Sequence, residues 1–168
     1  MTDEQVERLL DTIRDLPPYV FVMIGLYAGL RREEILALQW DSVYLDAEAP
    51  YLTVRRAWHT EHNRPVILTE LKTKAAQRNI PLPVCLVECL KDAKKKSTSD
   101  YVIANRDGDP LSYTQFKRLW QYIVTRTAKP RMARKLVDGK YVKYMLYPKL
   151  WRKKPGITAM WYIAWILK

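Results

Sequence analysis

At 168 residues and 48% hydrophobic side chains, the chain has the length of one domain and enough apolar material to build a core. Two cysteines, Cys85 and Cys89, with no further Cys/His set at ligand spacing, exclude a disulfide framework and a structural zinc site. The net charge of +11 is unevenly placed. Residues 1–50 carry 4 basic against 10 acidic side chains, residues 51–100 carry 10 against 5, and residues 101–168 carry 15 against 3. Such a surplus attracts polyanions through counterion release, although ribosomal and membrane-surface proteins share the pattern.

In chain order, Thr2 and Gln5 form a capping-box pattern that opens a helix over residues 3–14. A nearly unbroken apolar run predicts a second, buried helix over 18–28, and Gly29 supplies its stop. Arg31 follows at once, and the spacing of Ile35, Leu36 and Leu38 predicts a third helix over 32–39. An arginine whose rotamer is set by packed helices can present its fork to two phosphate oxygens. The alternative is an ordinary ion pair with Glu33, Glu34 or a nearby carboxylate.

Runs rich in Val, Ile, Leu and Tyr predict strands near 51–58, 65–70 and 78–82, joined by the basic hairpin from Leu71 to Pro83. A lysine on that hairpin reaches into a groove or sits in a solvated turn. His59 and His62 are expected in a solvated hairpin loop. Helices are expected over 84–96 and 113–127. The first holds Cys85 and Cys89 as small, buried, reduced side chains and ends on the solvated turn Lys94-Lys95-Lys96. No element is assigned from Lys129 onward. The fold class is a mainly helical α+β domain with a small antiparallel three-stranded sheet.

Three ordered stretches carry a family resemblance. Gly29, Leu30, Arg31, Glu34, Ile35, Leu38 and Trp40 match a Gly-Leu-Arg-x-x-Glu-Ile pattern followed by Leu-x-Trp. Lys72, Thr73, Lys74, Arg78, Ile80, Pro81 and Leu82 match a Lys-Thr-Lys…Arg-x-Ile-Pro-Leu hairpin. The third runs from Tyr101 through Tyr113 into the helix that follows. Together, over residues 1 to about 130, they resemble the catalytic domain of the tyrosine recombinases, the phage integrase family.

The resemblance implies site-specific DNA recombination or integration. A tyrosine attacks the scissile phosphate, a 3′-phosphotyrosyl link stores the bond energy, cationic groups stabilise the transition state, and a lysine protonates the leaving 5′-oxygen. It further implies that Arg31 is the first phosphate clamp and Lys72 the leaving-group acid, with Lys74 as the alternative acid. Glu34 would orient the Arg31 region, and Arg32, Arg78, Lys117 and Arg118 would contact the DNA backbone. Neither a nucleotide cofactor nor a metal is needed. The implied partner is double-stranded DNA, bound by a homo-oligomer in the cytoplasm.

The sequence also departs from the family pattern. Intact members carry a His-x-x-Arg box and a downstream nucleophilic tyrosine. Neither His59 nor His62 is followed by arginine at that spacing, and Tyr162 lacks the expected preceding motif. Residues 1–128 are therefore read as a partial catalytic domain without room for a preceding core-binding domain, expected to be inactive alone. Residues 129–168 are read as a divergent basic, aromatic-rich tail. Re-read in another frame with suitable codons, the segment from Trp151 resembles the polar strand before the histidine box, so a frameshift is one origin for it. Its apolar run is shorter than the ~20 residues a membrane span needs, and the acidic, polar first residues are not a secretory signal. Two alternatives stay open: a non-catalytic DNA-binding remnant or regulator, and a basic helical protein of unrelated ancestry.

Overall fold

The computed structural model describes residues 2–69, 76–123, 131–137 and 139–146. Helix α1 spans Asp3–Ile13 and buries Leu9, Leu10 and Ile13, while the Gln5 side chain accepts the Thr2 amide at 3.1 Å. Helix α2, Tyr19–Tyr27, follows after Pro17-Pro18 and buries Phe21 to Gly25, as its apolar run predicts. It ends where the Ala28 amide reaches the Ile24 carbonyl at 2.9 Å and Gly29 turns left-handed with φ +62°. Leu30 is then fully buried, which fixes the point at which Arg31 opens helix α3, Arg32–Leu36.

Helix α3 is shorter than the apolar spacing suggests. Ala37 caps it, and the next residues bond across to the 100–102 segment: Val102 N–H donates to the Leu38 carbonyl and Trp40 N–H to the Asp100 carbonyl, both at 2.9 Å. Those tertiary bonds compete with continued helix. A 3₁₀ turn over Trp40–Ser42 leads into strand β1, Val43–Tyr44.

The three-stranded antiparallel sheet is present, but its strands differ from the expected set. Its order is β1, then β2 (Tyr51–Val54), then β5 (Arg78–Pro81), with Leu52 opposite both Val43 and Ile80. The run expected as one strand over 51–58 breaks at Arg55-Arg56. The described ladder ends at the Val54–Arg78 pair, and both arginines turn to β1 and its approach: Arg56 to Asp41 at 2.7 and 2.8 Å, Arg55 to the Tyr44 hydroxyl at 2.8 Å. Strands β3 (Ala57–Glu61) and β4 (Arg64–Leu68) pair with each other as a separate hairpin. His62 and Asn63 form its two-residue turn, both left-handed, at φ 48° and 67°. His59 lies on β3 and not in the loop; both histidines are exposed as expected.

Helix α4, Val84–Lys96, packs on α2 through Leu86 and Leu90 and ends in the three exposed lysines. Contrary to expectation, Cys85 is exposed; Cys89 is half-buried, and burial, with the charge of Asp92 next, pushes its thiol up to about 11. The cause is position: Leu86 and Leu90 take the inward face and leave Cys85 outside. Helix α5, Tyr113–Ile123, packs Phe116 on Phe21 with ring centroids 5.6 Å apart, and Trp120 on both rings. Residues 124–127 of the expected helix lie outside the described residues. Beyond Lys129, where no element was expected, β6 (Arg131–Val137) and β7 (Lys140–Leu146) form an antiparallel hairpin. The Asp138-Gly139 pair between two strand-forming runs is the sequence signal for that turn.

A methyl group added at Gly29 would meet nothing within 4 Å, so a side chain there is opposed by the backbone alone. Gly29→Ala is expected to destabilise the domain by about 1 kcal/mol, the cost of a left-handed L-residue, seen as a lower urea midpoint at unchanged m-value.

Candidate functional site

The site is organised by one carboxylate. Glu34 stands three residues after Arg31, at the N3 position of α3, and is only 7% exposed. One turn of helix brings it back to the chain that precedes it, and its Oε2 accepts the Arg31 amide at 2.8 Å. The same carboxylate faces β5, where Arg78 Nη1 donates to Oε1 and Nη2 to Oε2, each at 2.9 Å. This bidentate pair joins two sequence motifs 44 residues apart.

Burial by itself would raise the Glu34 pKa. The hydrogen bonds from Arg78 and the Arg31 amide, together with both positive charges, outweigh it and hold the carboxyl below its ordinary value. The hydrogen bond to Glu34 in turn raises Arg78. Removing one partner of such a pair leaves the other charge without its hydrogen bonds in a mostly buried place, which costs more than the pair itself contributes.

Arg31 itself is held differently. Its backbone is fixed at the helix start, but its side chain is 63% exposed, and Nη1 reaches Glu34 Oε1 only at 3.5 Å. The guanidinium is thus anchored at its root and open at its tip. The expected locking of its rotamer by the core applies to the backbone and not to the fork. Arg32 binds Glu33 through Nε at 2.9 Å and lies over the Phe116 ring, 5.6 Å from its centroid, which links α3 to α5. Lys117 and Arg118 are exposed on α5, with Lys117 Nζ 5.5 Å from the Tyr113 ring centroid. Lys72, Lys74 and Tyr162 lie outside the described residues. The structure therefore brings Glu34, Arg78 and Arg31 together and ties Arg32 to α5, while Lys117 and Arg118 share a separate exposed face.

Two interactions of structural weight were not read from sequence. Arg56 forms a bidentate pair with Asp41, whose carboxyl is held below its usual range chiefly by that hydrogen bond. Trp58, buried on β3, donates from Nε1 to the Leu111 carbonyl at 2.8 Å and anchors the β3–β4 hairpin to the segment before α5. The isolated Arg55-Arg56 and Trp58 carry no spacing signal that names such distant partners. Among the described residues no group of three or more His, Cys, Asp or Glu side chains is placed to hold a metal, and no helix is long and apolar enough to cross a membrane.

This fold is found in solved DNA-recombining proteins. The Tn1549 transposon integrase in complex with circular intermediate DNA is similar with a TM-score of 0.64 and 18% identity, over 74% of this chain and 44% of that one. XerA recombinase is similar with a TM-score of 0.53 and 16% identity, over 74% of this chain and 40% of that one. An integrase of Streptomyces ambofaciens is 29% identical over 94 residues, which are 54% of this chain and 23% of the relative. The phage integrase family profile matches residues 1–137, and the chain belongs to that family. It spans less than half the length of these relatives.

Because the folded-state pKa of Glu34 is lowered, its contribution to stability is complete above the ordinary carboxylate pKa and is lost as pH falls through the lower folded value. Asp41 acts in the same direction. Glu34→Gln is expected to cost about 2 kcal/mol at neutral pH. The gap from wild type should narrow in acid, where both side chains are neutral. Urea unfolding between pH 7 and pH 3 checks this, and parallel pH profiles would contradict it.

Proposed function

We propose that this chain binds double-stranded DNA through its phosphates, as part of the catalytic domain of a tyrosine recombinase that acts in site-specific recombination or integration. The observation that carries the reading is the Glu34 carboxylate gripping Arg78 on β5 while fixing the Arg31 backbone, with the Arg31 guanidinium left open to solvent. An exposed fork on a rigid root is the arrangement a phosphate clamp requires, because the donor is pre-positioned and still free to bind.

In this reading Arg31 neutralises the non-bridging oxygens of the scissile phosphate. Lys72, with Lys74 as alternative, protonates the leaving 5′-oxygen as an attacking tyrosine forms the 3′-phosphotyrosyl bond. Arg78, whose two terminal nitrogens bind Glu34, acts through Arg31 as a positioning residue and not as a backbone contact. Arg32, Lys117 and Arg118 bind flanking phosphates without reading sequence. No metal or nucleotide cofactor takes part. The complex is a homo-oligomer on DNA in the cytoplasm.

Cleavage is not expected from this polypeptide alone. It has no His-x-x-Arg box, His59 and His62 are exposed on a hairpin, and no tyrosine carries the nucleophile's motif. That observation favours, as second reading, a DNA-binding remnant or regulator built on the same site. The family match covers residues 1–137, which include β6. A frameshift origin for the segment after Trp151 is checked by the nucleotide sequence of the locus, where a His-x-x-Arg box in another frame is the expected result.

Arg31→Ala should weaken binding to duplex DNA about tenfold, by a similar factor on unrelated sequences, with little change in thermal stability because the side chain is exposed. A nicked suicide substrate should yield no SDS-stable adduct with the wild-type chain. Unchanged affinity in Arg31→Ala would refute the clamp, and a covalent adduct would refute the inactivity.

A further inference from the structure

The β3–β4 hairpin stands outside the three-stranded sheet, yet its tip is not free. Asn63, left-handed at φ 67°, turns its Oδ1 to the start of α5. There it accepts the Thr114 amide at 3.0 Å and the Thr114 hydroxyl at 2.9 Å, across 51 residues of sequence. The helix start is also capped locally: Gln115 Oε1 accepts the Ser112 amide at 2.8 Å, and Ser112 Oγ accepts the Gln115 amide at 3.3 Å. Asn63 thus satisfies an amide of the first turn that the helix itself cannot. Asparagine suits both demands, because it tolerates the left-handed region and carries an acceptor short enough to stay at the turn.

Cations flank this contact on both elements. Thr114, Lys117 and Arg118 are three and four residues apart on one face of α5. Arg64, exposed, follows Asn63 directly and opens β4. Arg64 is thus one residue from the bonded contact on the hairpin side, and Lys117 and Arg118 are three and four residues beyond it on the helix side. At the base of the hairpin, the buried bond from Trp58 to the Leu111 carbonyl ties it to the segment just before α5, so the hairpin is held at both ends.

The geometry points to Asn63 as a positioning residue that assembles Arg64, Lys117 and Arg118 into one basic surface for the DNA backbone. The role rests on the DNA-binding function proposed above. It needs no contact between Asn63 and DNA. Without the tie, the turn itself survives, and Arg64 loses its fixed place against α5.

Asn63→Gly in the full chain tests this, since glycine keeps the left-handed turn and removes only the acceptor. Amide exchange at Thr114 should become fast in Asn63→Gly and stay slow in Asn63→Asp, which retains an acceptor oxygen. Duplex affinity of Asn63→Gly should fall about fivefold at low salt, with the slope of log K against log salt smaller by about 1, the loss of one phosphate contact. Arg64→Ala should show the same loss and add nothing to it in the double variant. Retained protection of Thr114 in Asn63→Gly overturns the tie. Lost protection with unchanged affinity and salt slope overturns the positioning role. Arg31→Ala, measured alongside, separates these outcomes from failure of the DNA-binding reading, because that failure leaves Arg31→Ala at wild-type affinity as well.

Discussion

The fold around the site depends on one buried carboxylate. Glu34 is desolvated by the packing of α3, and it stays ionised because Arg78 and the Arg31 amide satisfy its oxygens. Without Arg78 the first arginine motif would carry a buried charge without its bidentate partner, and without Glu34 the half-buried Arg78 would keep only its 3.3 Å bond to the Ala76 carbonyl. The pair therefore fixes where β5 begins, and with it where the connection from β4 must enter the sheet. It also separates the two arginines: Arg78 binds Glu34 with two nitrogens, whereas Arg31 touches it with its side chain only at 3.5 Å.

A second arrangement, built on the same logic, holds the hairpin. Arg56 and Asp41 close the corner where β2 ends, Trp58 anchors the first strand of the hairpin, and Asn63 ties its tip to α5. None of these contacts is large. Each joins segments far apart in sequence, and together they make a two-stranded element outside the main sheet behave as part of the domain. Arg32, paired with Glu33 and resting over Phe116, extends the link from the first arginine motif to α5.

Much of this was legible in the sequence, for identifiable reasons. The buried helix before Gly29, the stop at Gly29 and the helix start at Arg31 follow from local rules, and the structure carries all three within a residue or so. The resemblance to tyrosine recombinases rested on ordered motifs, and family membership follows from the match over residues 1–137. Strand membership was less legible. A run from Tyr51 to Trp58 alternates like one strand, and only the distant demands of Asp41 and Leu111 break it. The His62-Asn63 turn lacks the usual glycine, so the hairpin loop is expected to be longer than these two residues, whereas β3 runs on to Glu61. The Arg78–Glu34 pair was not legible, because charge alone does not reveal which arginine has a buried partner. The Asp138-Gly139 pair, by contrast, is itself a hairpin signal in the sequence.

In the proposed division of roles, Arg78 acts on DNA only through Arg31. A double-mutant cycle on duplex affinity, with Arg78→Lys and Arg31→Ala, tests it directly; lysine keeps the charge but cannot reproduce the two-nitrogen grip. Arg78→Lys is expected to weaken binding in the wild-type background and to have no further effect once Arg31 is alanine, a coupling of about 1 kcal/mol. Additive losses would mean that Arg78 contacts the DNA independently and would contradict it.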